Sequence, residues 1–184
     1  MFSKVLSKLV DQAIVPALVL VVVRLLSVVL VSNYLKIPVF LEYTGFVFKN
    51  PSDYIIVNSY STFIVMLTLV LGIVYVLLKS LLFHDSHITP GLTAKLFSTR
   101  LSYLIQSSLD LYSQASVWLS YLYLVTVVSG IMYMFETSYA WVFVAGIVFS
   151  VIVTYIFIID IERELEIHKA NAANKDMEVE VYEF

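Results

Sequence analysis

The stretch VVVRLLSVV, residues 21–29, sets an arginine among aliphatic neighbours. A guanidinium carries five N–H donors and a charge that proteins do not titrate away. Deep in hydrocarbon it costs ~2.5–3.5 kcal/mol on insertion scales, so Arg24 needs compensation. Three readings stand open. It snorkels, or bonds hydroxyls and carbonyls of its own chain; it meets an acid of another subunit; or it lines a wet cavity and binds an anion or a substrate carboxylate. A second candidate is HDSH, where His84 and His87 flank Asp85. That spacing can supply metal ligands, but no third histidine or further carboxylate stands nearby at a matching interval, so a solvated loop is the plainer reading. No nucleophile elbow, zincin helix, P-loop or dinucleotide fingerprint occurs, so no catalytic residue and no cofactor is assigned.

The acceptors for Arg24 depend on which residues share its depth. Apolar runs at residues 13–35, 62–83, 115–135 and 141–161 are each long enough to cross a bilayer. Centring each run on the midplane puts residues near 24, 72, 125 and 151 at one level. Side chains lean toward the amino terminus of their helix. The guanidinium is then expected to meet a belt of hydroxyls from Tyr75, Tyr121, Tyr123, Thr154 and Tyr155, with no carboxylate at that level. Small residues supply a separate expectation. Thr126 and Gly130 on the third run, and Gly146, Ser150 and Thr154 on the fourth, recur every four residues, which lets two helices approach closely. A short loop near Glu136–Ala140 makes those helices antiparallel neighbours.

The chain that must position these residues is 60% hydrophobic and 14% charged, with a mean hydropathy of +0.91. Soluble domains are near a quarter charged, and disordered chains are less apolar still. The absence of cysteine excludes disulfides and thiolate metal sites. The first apolar run is longer than a signal-peptide core and is read as retained. Lys4, Lys8, Lys79, Lys95, Arg100, Arg163, Lys169 and Lys175 fall on one side of the spans, and only Lys36 and Lys49 on the other. The positive-inside rule therefore predicts cytoplasmic amino and carboxy termini, in a cell or inner membrane.

The connecting segments carry their own signals. Phe2, Val5, Leu6, Leu9 and Val10 oppose Lys4, Lys8 and Asp11, as in an interfacial amphipathic helix. VFLEYTGFVF reads as a hairpin turning through Tyr43-Thr44-Gly45, or as an apolar segment on the outer interface. Asn50, Pro51 and Asp53 suit a helix start, so the second transmembrane helix is expected over residues 51–83. Residues 92–113 are amphipathic and lead without Pro or Gly into the third span, which predicts one long helix. The fourth continues into an acidic extension. MEVEVYEF alternates apolar and acidic residues, as a strand or a disordered tail would.

The expected fold is an all-α integral membrane protein, a four-transmembrane-helix bundle. It comprises an interfacial helix at 1–12, a membrane domain at 13–161 with an external loop at 33–61 and a cytoplasmic loop or helix at 84–114, and an acidic extension and tail at 162–184. The expected function is a non-enzymatic subunit or scaffold of a membrane complex. The alternative is a small-solute channel or transporter using Arg24 and the hydroxyl belt, with a membrane enzyme third. Expected partners are the lipid bilayer and other membrane subunits or further copies of the chain. Nucleic acid is excluded by the acidic tail and the net charge of −3.

Overall fold

The computed structural model describes residues 10–43, 45–83, 90–99 and 108–182, and these are mostly helical. A π-helical turn over Val10–Ile14 leads into α1 (Val15–Leu35), followed by strands β1 (Val39–Glu42) and β2 (Gly45–Phe48). Then come α2 (Pro51–Phe83), α3 (Pro90–Ser98), α4 (Ser108–Met134) and α5 (Ala140–Tyr182). Four stretches are long and apolar enough to cross a membrane: Gln12–Leu35, Pro51–Ser80, Leu111–Met134 and Ala140–Ile167.

Local chemistry accounts for the boundaries. Pro16 sits in the first turn of α1, where its missing N–H costs no intrahelical bond. Lys36 ends that helix in the left-handed conformation at φ 57°; its N–H donates to Asn33 O, and the N–H of Ile37 to Ser32 O. This is the Schellman arrangement. The end of α4 repeats it, with Glu136 at φ 56° and the N–H of Thr137 donating to Met132 O. The hairpin pairs Val39 with Phe48 and Glu42 with Gly45, and Gly45 takes φ 118°, which a side chain would strain. At the start of α2, Asn50 O accepts from the N–H of Tyr54 while its Nδ2 donates to Asp53 at 2.9 Å.

The pattern of packing makes α2 the central helix. It touches α1, α4 and α5, and its most apolar window is 39% buried against 28% for each of the other three. Val65, Met66, Leu69 and Ile73 of α2 build the main core with Leu119 and Leu122 of α4 and Val142 and Val153 of α5. A second core at the hairpin end joins Val28 and Val31 of α1 to Val57 of α2, under Phe46 and Phe48.

The helix start expected at Asn50-Pro51 is found, so residues 51–61, which the domain bounds also counted in the external loop, belong to α2. Two expectations change. The alternating end of the chain is helical as far as Tyr182, because extending an existing helix needs no new nucleus. The amphipathic stretch shows helix over Pro90–Ser98 and again from Ser108, with a turn at Thr99; residues 100–107 between them lie outside the described residues. So do residues 1–9 of the proposed interfacial helix.

Candidate functional site

Arg24 projects from the middle of α1 onto the first half of α2. Its Nη1 donates to Asn58 O at 3.3 Å, to Thr62 Oγ1 at 3.0 Å and to Ser61 Oγ. Its Nη2 donates to Asn58 Oδ1. Asn58, Ser61 and Thr62 are three and four residues apart, so they share one helical face. Ser61 and Thr62 also donate back to Asn58 O at 3.1 and 2.8 Å, which fixes their rotamers. Ser27 of α1 reaches across to Ser61 O at 3.4 Å. The result is a polar clasp between two otherwise apolar helices.

The clasp extends to the far helices. Asn58 Nδ2 donates to Thr137 O at 2.6 Å, and Tyr139 N donates to Ser59 Oγ at 2.9 Å. Ser59 and Ser138 hydroxyls lie 3.3 Å apart. Asn58 thus joins the arginine to the α4–α5 turn through the two ends of one carboxamide. Asn58, Ser59, Ser61 and Ser138 are all buried. Every acceptor that Arg24 finds among the described residues is neutral. Nε finds none there, and Nη2 keeps one hydrogen unspent.

Beside the guanidinium lies a cavity of about 270 Å³. Arg24, Tyr54 and Asn58 form its polar wall, and Leu25, Val28, Val57 and the hairpin residues Phe46 and Phe48 its apolar one. Tyr54 is braced by Phe48, with ring centres 5.9 Å apart.

No family model, curated protein or solved structure matches the chain. The residues therefore carry the functional argument alone.

The hydroxyls expected around Arg24 lie elsewhere. Tyr75 and Tyr155 are each 66% exposed. Tyr121 donates to Ala13 O at 3.0 Å, tying α4 to the turn before α1. Tyr123 and Thr154 meet each other at 2.5 Å across α4 and α5. The reason is one of level. Because α2 begins at Pro51, the residues facing Arg24 are 58–62, not those near 72. Tyr75 is about 21 Å further along the helix than Ser61, at 1.5 Å per residue.

The small residues do come together. Thr126 and Ser150 hydroxyls lie 3.3 Å apart. A Cβ on Gly146 would stand 2.8 Å from Thr126 Oγ1, and one on Gly130 2.9 Å from the Phe143 ring. Gly72 on α2, which spacing arguments passed over, is tighter still, with Trp118 carbons at 2.6 Å from the same position. His84 and His87 lie outside the described residues. The missed partners of Arg24 had a signal in the run NSYST, residues 58–62, where every side chain can hydrogen-bond between the apolar runs IIV and FIVML.

Proposed function

We propose that the chain is a four-span integral membrane protein of the cell or inner membrane, with both termini cytoplasmic, and that it serves as a non-enzymatic subunit or scaffold of a membrane complex. One observation carries the subunit reading. Asn58 is bonded to the α4–α5 turn, yet α2 continues about 10 Å past that level to Pro51, at 1.5 Å per residue. The outer part of α1 and the hairpin rise with it. Glu136 in the turn is exposed, and a charged side chain belongs at the headgroups, not in hydrocarbon. The raised part nonetheless presents an apolar flank: Leu30 is 63% exposed and Leu41 79%. Apolar surface of this kind above a membrane boundary marks a protein interface. A conduction path draws less support, because the belt hydroxyls do not surround Arg24 and its Nη atoms are engaged with α2.

The mass and protein content of the complex after gentle extraction from its native membrane test this reading. A heteromeric assembly that the Leu30→Glu, Leu41→Glu double variant dissociates is the expected result. A lone monomer or symmetric homo-oligomer in the wild type overturns it. Orientation is read separately by placing a single cysteine at Tyr43 or Lys169, since the chain has none of its own. A membrane-impermeant thiol reagent should label the first from outside the cell and the second only after lysis.

A further inference from the structure

We infer that the cavity beside Arg24 binds the oxyanion head of an amphiphile, a carboxylate or phosphodiester, beneath Phe46 and Phe48, with the start of its hydrocarbon chain leaving past Leu25. The inference rests on the membrane-spanning part of the function proposed above, not on the subunit part.

The guanidinium supplies the chemistry. Its four bonds all fall on Nη1 and Nη2 and all go to neutral oxygens. Neutral acceptors satisfy donors but leave the positive charge uncancelled. Among the described residues no carboxylate pairs with it. The Nε–H and the remaining Nη2 hydrogen are what a guanidinium offers a two-oxygen anion in a bidentate pair. Because the clasp holds the other side of the group on Asn58, Ser61 and Thr62, little further ordering is needed on binding. Tyr54, whose ring lines the same cavity, brings a hydroxyl as a further donor.

Size and depth select the kind of ligand. At about 270 Å³ the cavity lies just below the ~300 Å³ at which small-molecule pockets begin, so it holds a head and its first carbons but not a whole lipid. Its apolar wall gives the chain a path past Leu25, which is 51% exposed on the lipid-facing flank of α1. The bond from Asn58 to Thr137 puts the site level with the turn that carries Glu136, where lipid headgroups meet hydrocarbon. A soluble anion would have no use for the exposed apolar edge at Leu25. An amphiphile uses both walls.

The test is made on the purified chain in neutral maltoside micelles, by melting temperature and by direct titration. The probes are dodecanoate, phosphatidylglycerol, dodecanol, phosphatidylcholine and inorganic phosphate. Dodecanoate or phosphatidylglycerol should stabilise saturably, and the tighter of the two identifies the source as a free acid or a membrane lipid. Dodecanol and phosphate should not, and phosphatidylcholine, whose phosphodiester is offset by its own choline, should bind more weakly than phosphatidylglycerol. Leu25→Trp fills the cavity from an exposed position without touching the clasp. It should keep the ligand-free melting temperature and weaken binding about tenfold or more, because the indole takes the ligand's place. Equal stabilisation by dodecanol and dodecanoate, undiminished binding to Leu25→Trp, or saturation by phosphate alone would each overturn the inference. Since binding is read on the isolated chain, a failure here is distinct from a failure to find partner subunits.

Discussion

The clasp at Arg24 and the seam between α4 and α5 both hold helices together in an apolar molecule, by opposite means. At the seam, Gly146 opposite Thr126 brings two backbones close, and two hydroxyl pairs, Thr126 with Ser150 and Tyr123 with Thr154, add bonds to what is mainly shape. The helices concerned are sequence neighbours joined by a tight turn. At the clasp, α1 and α2 are separated by the hairpin, and a charge is held by a carboxamide and two hydroxyls. A packed seam degrades gradually as atoms are added or removed. A charged clasp fails abruptly, because losing one partner leaves the other buried and unsatisfied.

The largest effect is therefore expected at Asn58. Asn58→Leu removes the Oδ1 acceptor of Arg24 and the donor to Thr137 O, and leaves the guanidinium facing hydrocarbon. A hydrogen bond to a charged group is worth about 1.5–3 kcal/mol, and the simultaneous loss of the Thr137 bond places this variant near the upper figure. Denaturant unfolding in micelles measures it. Arg24→Leu combined with Asn58→Leu should recover part of the loss, since the charge leaves with its acceptor. Simple additivity of the two variants would show that the clasp is not a coupled unit.

At close-packed contacts, the seam and the crossing of α2 with α4, the comparable experiment adds volume. Gly72→Ala places a methyl against the Trp118 ring, at 2.6 Å from Cε3, closer than the two can stand without one of them shifting. A cost of about 1–3 kcal/mol is expected, the usual range for overpacking. Gly146→Ala meets Met66 Cε and the Thr126 side chain instead, at 2.9 and 2.8 Å. A thioether end moves easily, so this variant should lose less than Gly72→Ala. The reverse order would mean that Trp118 is the more adaptable neighbour.

The two regions also differ in how far residue order revealed them. Thr126, Gly130, Gly146 and Ser150 are found by spacing within a helix, and the short turn supplies the pairing. Locating the partners of Arg24 required knowing which residues of α2 stand level with it, a relation between helices that no local period encodes. Hydropathy placed the second span too late, at residue 62, because Asn58, Ser59 and Ser61 lower the average of the window that contains them. The Asn50-Pro51 helix start pointed to the true beginning. Had that cap set the level, NSYST would have faced Arg24 in place of Tyr75. The residues that do the work thus hid the segment they lie in.

A smaller effect sharpens the contrast within the seam. Thr126→Val removes the hydroxyl that meets Ser150 while keeping the shape of the side chain. Hydrogen bonds between membrane helices average about 0.6 kcal/mol by double-mutant cycles, so a loss of that order is expected. A loss as large as that of Asn58→Leu would make the seam a second polar clasp and erase the distinction.

The smallest effect is predicted to have the opposite sign. Ser32, 1% exposed near the end of α1, has an Oγ with no hydrogen-bond partner, although its carbonyl accepts from the N–H of Ile37. A buried hydroxyl without a partner costs about 1–3 kcal/mol by mutational measures. Ser32→Ala removes that cost and leaves the backbone cap intact, so a rise in stability of about 1 kcal/mol is expected, after allowance for the small void. Ser61→Ala, one helix away and equally buried, should instead destabilise, because Ser61 Oγ accepts from Arg24. The same substitution made at two buried serines then separates a hydroxyl that serves the charge from one that serves nothing. If Ser32→Ala were as damaging as Ser61→Ala, burial alone would govern this end of the molecule and the clasp would have no special status.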